Sequence, residues 1–479
     1  MTKTRPPTAR DVLRRIQAEE ILFVDLKFTD LFGGLQHLTL LADTLDEGSF
    51  TRGLNFDGSS VRGFQAISQS DLLLRPDPAS IFRDPFFDDP TLSMFCDVVN
   101  PKTQGPYSRD PRGVAKRAEI AARSLGIADA AYYGLESEFY VFDDVRYDQA
   151  TQHGFYFINS DAAFWNSGAE AGRPNLGHRA TKKRAYFASP PKDGFHNLRG
   201  KISLVLREMG MTIELHHHEV GAAGQNEIGV RFDTLSRSAD NVIKFKYTVK
   251  NVAQRYGKTA TFMPKPLFEE AGSGMHTNVS LFKNGKNAFF EPGCYADMSQ
   301  VGHWFIGGLL KHAPAVCAFG NPSTNSYRRL VPGYEAPTNL VFSSRNRSAC
   351  IRIPYTGDNP KTKRLEFRTP DPSANPYLSC AAVLMAGLDG IINRIDPPDP
   401  VDQDIYEYAN SETGKLLRSV PTSLGEALDA LEEDHEFLLR NGVFTRDLID
   451  TWLRMKREHE INYLSLRPHP TEFSLYFDV

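Results

Sequence analysis

Ionisable residues two apart recur in three strand-like runs of this 479-residue chain, and that spacing limits what it can fold into. In Gly134-Leu-Glu136-Ser-Glu138-Phe-Tyr140 the two glutamates share a face, because successive side chains of a strand point to opposite sides. In Glu214-Leu-His-His-His-Glu219, His217 and Glu219 face one way while Glu214, His216 and His218 face the other. Glu227 follows in Gly224-Gln-Asn-Glu, and Glu366 and Arg368 pair again in Leu365-Glu-Phe-Arg. Each run alone also describes a solvated strand face, and a histidine triplet also describes a hydrogen-bonded core. Together they make an oxygen-rich, thiol-free donor set suited to Mg²⁺ or Mn²⁺.

The pattern around these runs predicts an α+β chain. Strands are expected over 132–142, 212–220, 226–233, 274–283 and 363–369, and helices over 112–125, 238–255, 298–317, 376–394, 423–440 and 445–459. Their order has no steady βαβ rhythm, which argues against a doubly wound sheet. Residues 21–99 read as short strands and turns, and Asn100-Pro-Lys-Thr-Gln-Gly-Pro106 reads as a linker. Two domains, 10–104 and 105–479, follow, in keeping with a length beyond what one core usually serves. No GxGxxG opens a helix after a strand and no GxxxxGK[ST] occurs, so any nucleotide is held by other means.

Composition narrows the function classes. A 41% hydrophobic share excludes a mostly disordered chain, and 55 basic against 59 acidic residues argue against nucleic acid or anionic membrane as partner. Five cysteines without Cys-x-x-Cys spacing argue against a disulfide framework or structural zinc. With no signal-like apolar stretch at the N-terminus, the expected location is the cytoplasm. Arg328, Arg329, Arg345, Arg347, Arg352, Arg364 and Arg368 lie among apolar and Pro/Gly residues, where guanidinium groups need carboxylate or phosphate partners. Carboxylates and arginines in these numbers describe a polyanion held by divalent metals and arginine forks, which points to phosphoryl transfer from a nucleotide.

Phe56-Asp-Gly-Ser-Ser60, His216-His-His-Glu-Val with Gly224-Gln-Asn-Glu, Lys258-Thr-Ala-Thr-Phe-Met-Pro-Lys-Pro, Asn321-Pro-Ser-Thr-Asn-Ser-Tyr, Arg329-Leu-Val-Pro-Gly-Tyr-Glu-Ala-Pro and Arg345-Asn-Arg-Ser together resemble bacterial type I glutamine synthetase. The resemblance runs from about residue 10 to the C-terminus. It implies an N-terminal β-grasp domain and a large catalytic domain with a curved antiparallel sheet flanked by helices. It also implies a homo-dodecamer of two stacked hexamers with active sites between subunits. The implied reaction joins ammonia to the γ-carboxylate of glutamate with ATP, through a γ-glutamyl phosphate.

Residue by residue, the resemblance makes Glu138, Glu219 and Glu227 ligands of one metal and Glu136, His276 and Glu366 ligands of a second. Arg347 would neutralise the transferring phosphoryl group, and Arg329 and Arg368 would hold substrate oxygens. Asp57, given by the neighbouring subunit, would deprotonate ammonium beside Ser60 and Tyr186, and Glu335 would gate the intermediate. His217, Ala271 and Gly272 match glutamate contacts. Glu214, Phe232, Asn278, Ser280, Arg352, Lys361 and Arg364 match nucleotide-side positions. Tyr406 aligns with a tyrosine that some members adenylylate, which would add an adenylyltransferase as partner.

Departures from the family pattern stand at Ala271, where an asparagine is usual, at Arg184-Ala185, where two glycines are usual, and at Asn278, where many members have histidine. Loss of the asparagine contact should cost on the order of 1 kcal/mol in glutamate binding. Two other readings remain open: a γ-glutamyl ligase for a larger amine, and a non-catalytic sensing or scaffold relative. All six metal positions are intact, which weighs against the last.

Overall fold

The computed structural model describes residues 5–170, 174–332, 336–403 and 417–479. Near the N-terminus, β1 (Phe23–Thr29), β2 (Leu35–Leu41), β3 (Leu54–Asp57), β4 (Asp71–Pro76), β5 (Phe82–Arg83) and β6 (Thr91–Val99) form one sheet in the order β2-β1-β6-β4-β3, with β5 added to β6. Its centre is a parallel β1–β6 pair, the mark of a β-grasp, and the remaining pairs are antiparallel. The helix Ala9–Ala18 buries Val12 against this sheet and packs Leu13 and Ile16 beside it.

The larger part contains two further sheets that share a corner. β7 (Ala130–Ser137) runs into β8 (Phe139–Phe142), and a two-stranded hairpin follows in β9 (Asp144–Gln149) and β10 (Gly154–Asn159). Then come β11 (Ile213–His218), β12 (Gln225–Val230), β13 (Asp233–Thr234), β14 (Thr259–Thr261), β15 (Met275–Lys283), β16 (Lys286–Asn287), β17 (Phe342–Ser344), β18 (Ile351–Ile353) and β19 (Leu365–Phe367). One sheet is ordered β11-β12-β8-β14 and the other β13-β7-β15-β19-β18-β17. All pairs are antiparallel except β17–β18.

The expected strand 132–142 is thus two strands in two sheets. The change of sheet falls at Glu138, whose N–H bonds the Gly274 carbonyl rather than a ladder partner. The expected helix 423–440 also divides, into Leu424–Glu433 and Glu436–Leu439. Asp434 leaves helical angles at the break, and its carboxylate accepts from His312 Nδ1 at 2.7 Å.

Helices Gln300–Gly320 and Pro376–Asn393 form the floor beneath the sheets. Gly308 and Gly390 meet where they cross, and a Cβ on Gly308 would stand 2.3 Å from the Ala386 carbonyl oxygen. Among the described residues Pro376–Asn393 is the one helix long and apolar enough to cross a membrane, but it is 83% buried inside the protein. Its apolarity is spent on core packing. The two parts of the chain are joined by Arg112. It is buried and paired to Asp77 and Asp97 from the first sheet at 2.7 Å, and to Asp240 from the helix Leu235–Arg255 at 2.9 Å.

His312 ties the floor to the C-terminal helices, with Nε2 3.0 Å from Asp389 and its ring stacked on Phe437. Burial disfavours its charge, yet the hydrogen bonds to Asp389 and Asp434 outweigh burial and raise its pKa. The stability this adds is complete below the unfolded-state value of about 6.5 and is lost as pH rises through the higher folded-state value. Substitution His312→Gln should lower the thermal unfolding midpoint clearly at pH 6, from a loss of roughly 1.5–3 kcal/mol. The gap to the parent should narrow by pH 9; a gap of equal size at both pH values would show a neutral imidazole.

Candidate active site

Strand register brings the separated runs together. On β7 and β15, Glu136 stands opposite His276; on β15 and β19, Asn278 stands opposite Glu366; on β18 and β19, Arg352 stands opposite Glu366. His276 Nδ1 lies 3.5 Å from Glu136 and 3.9 Å from Glu366. In the other sheet His217 on β11 stands opposite Glu227 on β12. His217 is 3.5 Å from Glu219 and 3.8 Å from Glu227. Each trio offers donor atoms that all lie within 4.8 Å of one another.

Glu138 sits at the corner between the trios. One of its oxygens accepts from Gly274 N at 2.8 Å and Gln225 Nε2 at 3.0 Å. The compact trio around Glu219 and Glu227 is completed by His217, which was expected on the glutamate side, rather than by Glu138. Gln225 was missed in sequence. Its amide also reaches the Gly272 carbonyl at 3.0 Å, so it fastens Glu138 to the loop beyond. The signal was present, since Gln225 and Glu227 are two apart on one strand.

Electrostatics separates the carboxylates. Burial, then Glu219, pushes the Glu138 carboxyl up to about 8. Burial, then Glu136, Glu138 and Glu219, pushes Glu227 well above the carboxylate range. Glu366 is buried too, yet Arg368 and His276 overcome that burial and hold it below its ordinary value. Arg352 pairs with Glu366 at 2.5 Å, and Arg368 bonds its other oxygen. Burial, then Arg368, drives His276 far down, so its imidazole is neutral and can donate a lone pair. His217 is lowered chiefly by burial as well.

This donor set fits divalent cations: carboxylate oxygens crowded at a cost that a dication would remove, each trio with one neutral imidazole. The Nε atoms of Arg352 and Arg368 are buried without a hydrogen-bond partner among the described residues, which fits an anionic oxygen brought between them.

The loop carrying Ala271 and Gly272 is fastened from outside, with the Tyr140 hydroxyl donating to the Ala271 carbonyl at 2.7 Å. Arg329 lies buried against it. A Cβ on Gly274 would stand 2.6 Å from Arg329 Nη2, which explains a glycine there. Arg329, the expected substrate fork, donates from Nη1 to the Thr369 carbonyl at 2.6 Å and from Nη2 to that of Arg368 at 3.1 Å. Tyr186 stacks on Phe187 at 4.1 Å, and both rings meet His217 edge to face. Arg347 is exposed and acts on the Tyr186 hydroxyl.

Positive φ falls on Lys183 and Phe187, so Arg184 and Ala185 need no glycine-like angles. Ala185 is instead buried with Ala180 and Ala222.

Of the nucleotide-side candidates, Asn278 and Arg364 are tied to the Glu136 trio. Arg364 Nε donates to Asn278 Oδ1 at 3.0 Å, and Asn278 Nδ2 donates to Glu136 at 2.9 Å. Ser280 is half-buried two residues further along β15. Phe232 is 59% exposed with its ring edge on Tyr132. Glu214 is exposed and paired to Arg231 at 3.0 Å, and Lys361 is exposed. Asp57 and Ser60 are not brought to this cup: Asp57 is exposed at the end of edge strand β3 and takes the hydroxyls of Ser59 and Ser60 at 2.6 and 2.5 Å. Those hydroxyls hold its pKa down. Glu335 and Tyr406 lie outside the described residues.

Comparison with known proteins agrees in kind. The glutamine synthetase catalytic domain matches residues 108–476 and the glutamine synthetase β-grasp domain matches residues 20–101. The chain is 55% identical over 471 residues to a glutamine synthetase of Frankia alni, covering 98% of this chain and 99% of that one. It is 54% identical to one of Streptomyces coelicolor over 471 residues, again covering 98% and 99%. The cryo-electron-microscopy structure of Plasmodium falciparum glutamine synthetase matches with a TM-score of 0.91 at 28% identity, covering 99% of this chain and 100% of that chain. A structure titled as a GmaS/ADP complex matches at 0.82 and 28% identity, covering 98% and 100%.

Replacing Glu366 by Gln keeps its shape and removes its charge. Titration with Mn²⁺ should then show affinity at one site reduced by about 10- to 100-fold, while the site around Glu219 and Glu227 keeps its own. Equal weakening of both would mean that the two trios are one site.

Proposed function

The chain belongs to the glutamine synthetase family, and we propose that its two carboxylate–histidine trios are the two divalent-metal sites of the reaction. The reaction is ATP-dependent ligation of ammonia to the γ-carboxylate of glutamate, forming glutamine through γ-glutamyl phosphate. The observation that carries the site assignment is the pair of trios on neighbouring sheets, with Glu138 between them and two buried arginine Nε atoms unpaired beside one.

A carboxylate is a poor electrophile, so it must be activated before an amine can displace anything from it. Mg²⁺ or Mn²⁺, when bound, would neutralise phosphate charge and align the oxygens. Glu136, His276 and Glu366 would hold the metal on the ATP side. Glu219 and Glu227, with Glu138 and with His217 adjacent, would hold the other. The sequence assignment of Glu138 to that metal needs its carboxylate to remain ionised at pH 7, which the nearby positive charge would bring about.

Arg347, Arg352 and Arg368 would meet phosphoryl oxygens, and Arg329, buried beside Gly272 and Gly274, would hold a substrate carboxylate. Gly272 and Ala271 present backbone there, braced by Tyr140 and Gln225. The base of the nucleotide would lie along Phe232 and Ser280, near Glu214, Asn278, Lys361 and Arg364. This rests on the hydrogen bonds that run from Glu136 through Asn278 to Arg364. Asp57 is better explained as a gift to a neighbouring copy. It is ionised and exposed, so it can offer a negative charge to an ammonium ion at a neighbouring copy's site, where it would also take the proton as the amine attacks. Ser60 and Tyr186 would line that pocket, and Glu335 would close it.

Assembly into a dodecamer is supported by apolar surface that one copy leaves in water. On the hairpin β9–β10, Tyr147 is 79% exposed and Phe155, Tyr156 and Phe157 are exposed with it. At the C-terminus Leu466, Phe473, Leu475, Tyr476 and Phe477 are exposed too. We place the division between domains at 104/105, locate the enzyme in the cytoplasm, and keep Tyr406 as the residue an adenylyltransferase would modify.

Asp57→Asn should raise the KM for ammonium far more than that for ATP, and lower kcat by about 10²–10⁴. Asp57→Asn and Glu366→Gln chains, each nearly inactive alone, should regain glutamine formation when dissociated and reassembled together. No recovery in mixed assemblies would place Asp57 in its own chain's site. Intact-mass analysis of protein from its own cells grown nitrogen-rich should show an AMP adduct that is absent in Tyr406→Phe; a persistently unmodified chain would remove the adenylyltransferase.

A further inference from the structure

A cleft of about 870 Å³ opens between the β-grasp sheet and the helix Leu235–Arg255, and none of the six metal-ligand candidates lines it. That is room for a small organic ligand. Lys246 and Lys250, one helical turn apart, both line it, and their ammonium groups lie 5.8 and 6.0 Å from the centre of the Phe262 ring.

Neither has a carboxylate within ion-pair distance among the described residues, and Lys246 donates to the Ala374 carbonyl at 3.3 Å. Lys27 on the same cleft shows the contrast: Asp25 at 2.6 Å and Asp84 at 3.2 Å neutralise it. Like charges four apart on a helix repel. Burial, then Lys250, brings the Lys246 ammonium down to about 7. Two ammonium groups held together this way are stabilised by an anion bound between them. The opposite walls carry Phe32, Phe86 and Phe87, which suit a carbon body rather than a bare inorganic ion.

We propose that this cleft is a second ligand site, binding a small organic dianion whose charged end lies between Lys246 and Lys250 and whose body lies on the phenylalanines. It adjoins the substrate loops. Asn325 and Ser323 line it, and Asn325 clasps the main chain of Lys265 at 2.7 and 3.0 Å. Asn325 thus joins the segment leading to Arg329 with the one leading to Gly272. A ligand here would touch both from behind, without entering the metal cup.

The test is calorimetric titration of the assembled enzyme at low salt, its active sites filled with ADP, Mg²⁺ and glutamine. The probes are phenyl phosphate and phthalate, which share two charges and an aromatic body. One saturable event per chain is expected for at least one probe, and which probe binds distinguishes a phosphate ester from a dicarboxylate. Lys246→Met and Lys250→Gln should each weaken it by about tenfold or more. Lys250 is exposed, so its variant keeps the test open if Lys246→Met folds poorly. Absence of saturable binding by both probes, or binding that survives both substitutions, overturns the proposal. So does loss of binding in Glu366→Gln alone.

Discussion

Buried negative charge is the constraint around which the rest of the structure is arranged. Glu136, Glu138, Glu219, Glu227 and Glu366 converge where two sheets meet, and burial and mutual repulsion push two of them far from ordinary acidity. Such a cluster folds only where protons, cations or arginines compensate it. Glu366 has Arg352 and Arg368 and stays ionised. Among the described residues Glu138 and Glu227 have no arginine or lysine within ion-pair distance, so their burial leaves them short of compensating charge.

The scaffold answers with backbone geometry. The chain changes sheets at Glu138, which aims that carboxylate into the corner and lets β7 and β11–β12 present their glutamates from two directions. Arg329 spends hydrogen bonds on carbonyls of 368–370 and so fixes the strand end that carries Arg368. Beneath them two apolar helices cross at glycines, giving the rigid floor that closely placed charges need. The Arg112 pairs fasten the β-grasp sheet to this body.

Much of this was legible because strand periodicity is local. The pairs His217/Glu219 and Glu366/Arg368 follow from alternation, and the motifs joining them carry the family resemblance. What misled was also local. A run of strand formers over 132–142 cannot show that Glu138 leaves one sheet for another, and helical periodicity over 423–440 cannot show that Asp434 turns inward to His312. Arg184-Ala185 stand where two glycines are usual, yet the left-handed angles fall on Lys183 and Phe187, and Ala185 is buried with Ala180 and Ala222.

The amino-acid sequence by itself determined the residue types of the site, their strand faces, the α+β class and the family, because these depend on side-chain chemistry and on neighbours a few residues away. Only the tertiary structure decided which carboxylates crowd together, that His217 joins Glu219 and Glu227, that Gln225 braces Glu138, and that two lysines face a cleft with no carboxylate in ion-pair reach among the described residues. Those outcomes depend on register between strands as far apart in the chain as those of Ala130 and Phe282, and on burial, and neither is written in any local stretch of chain.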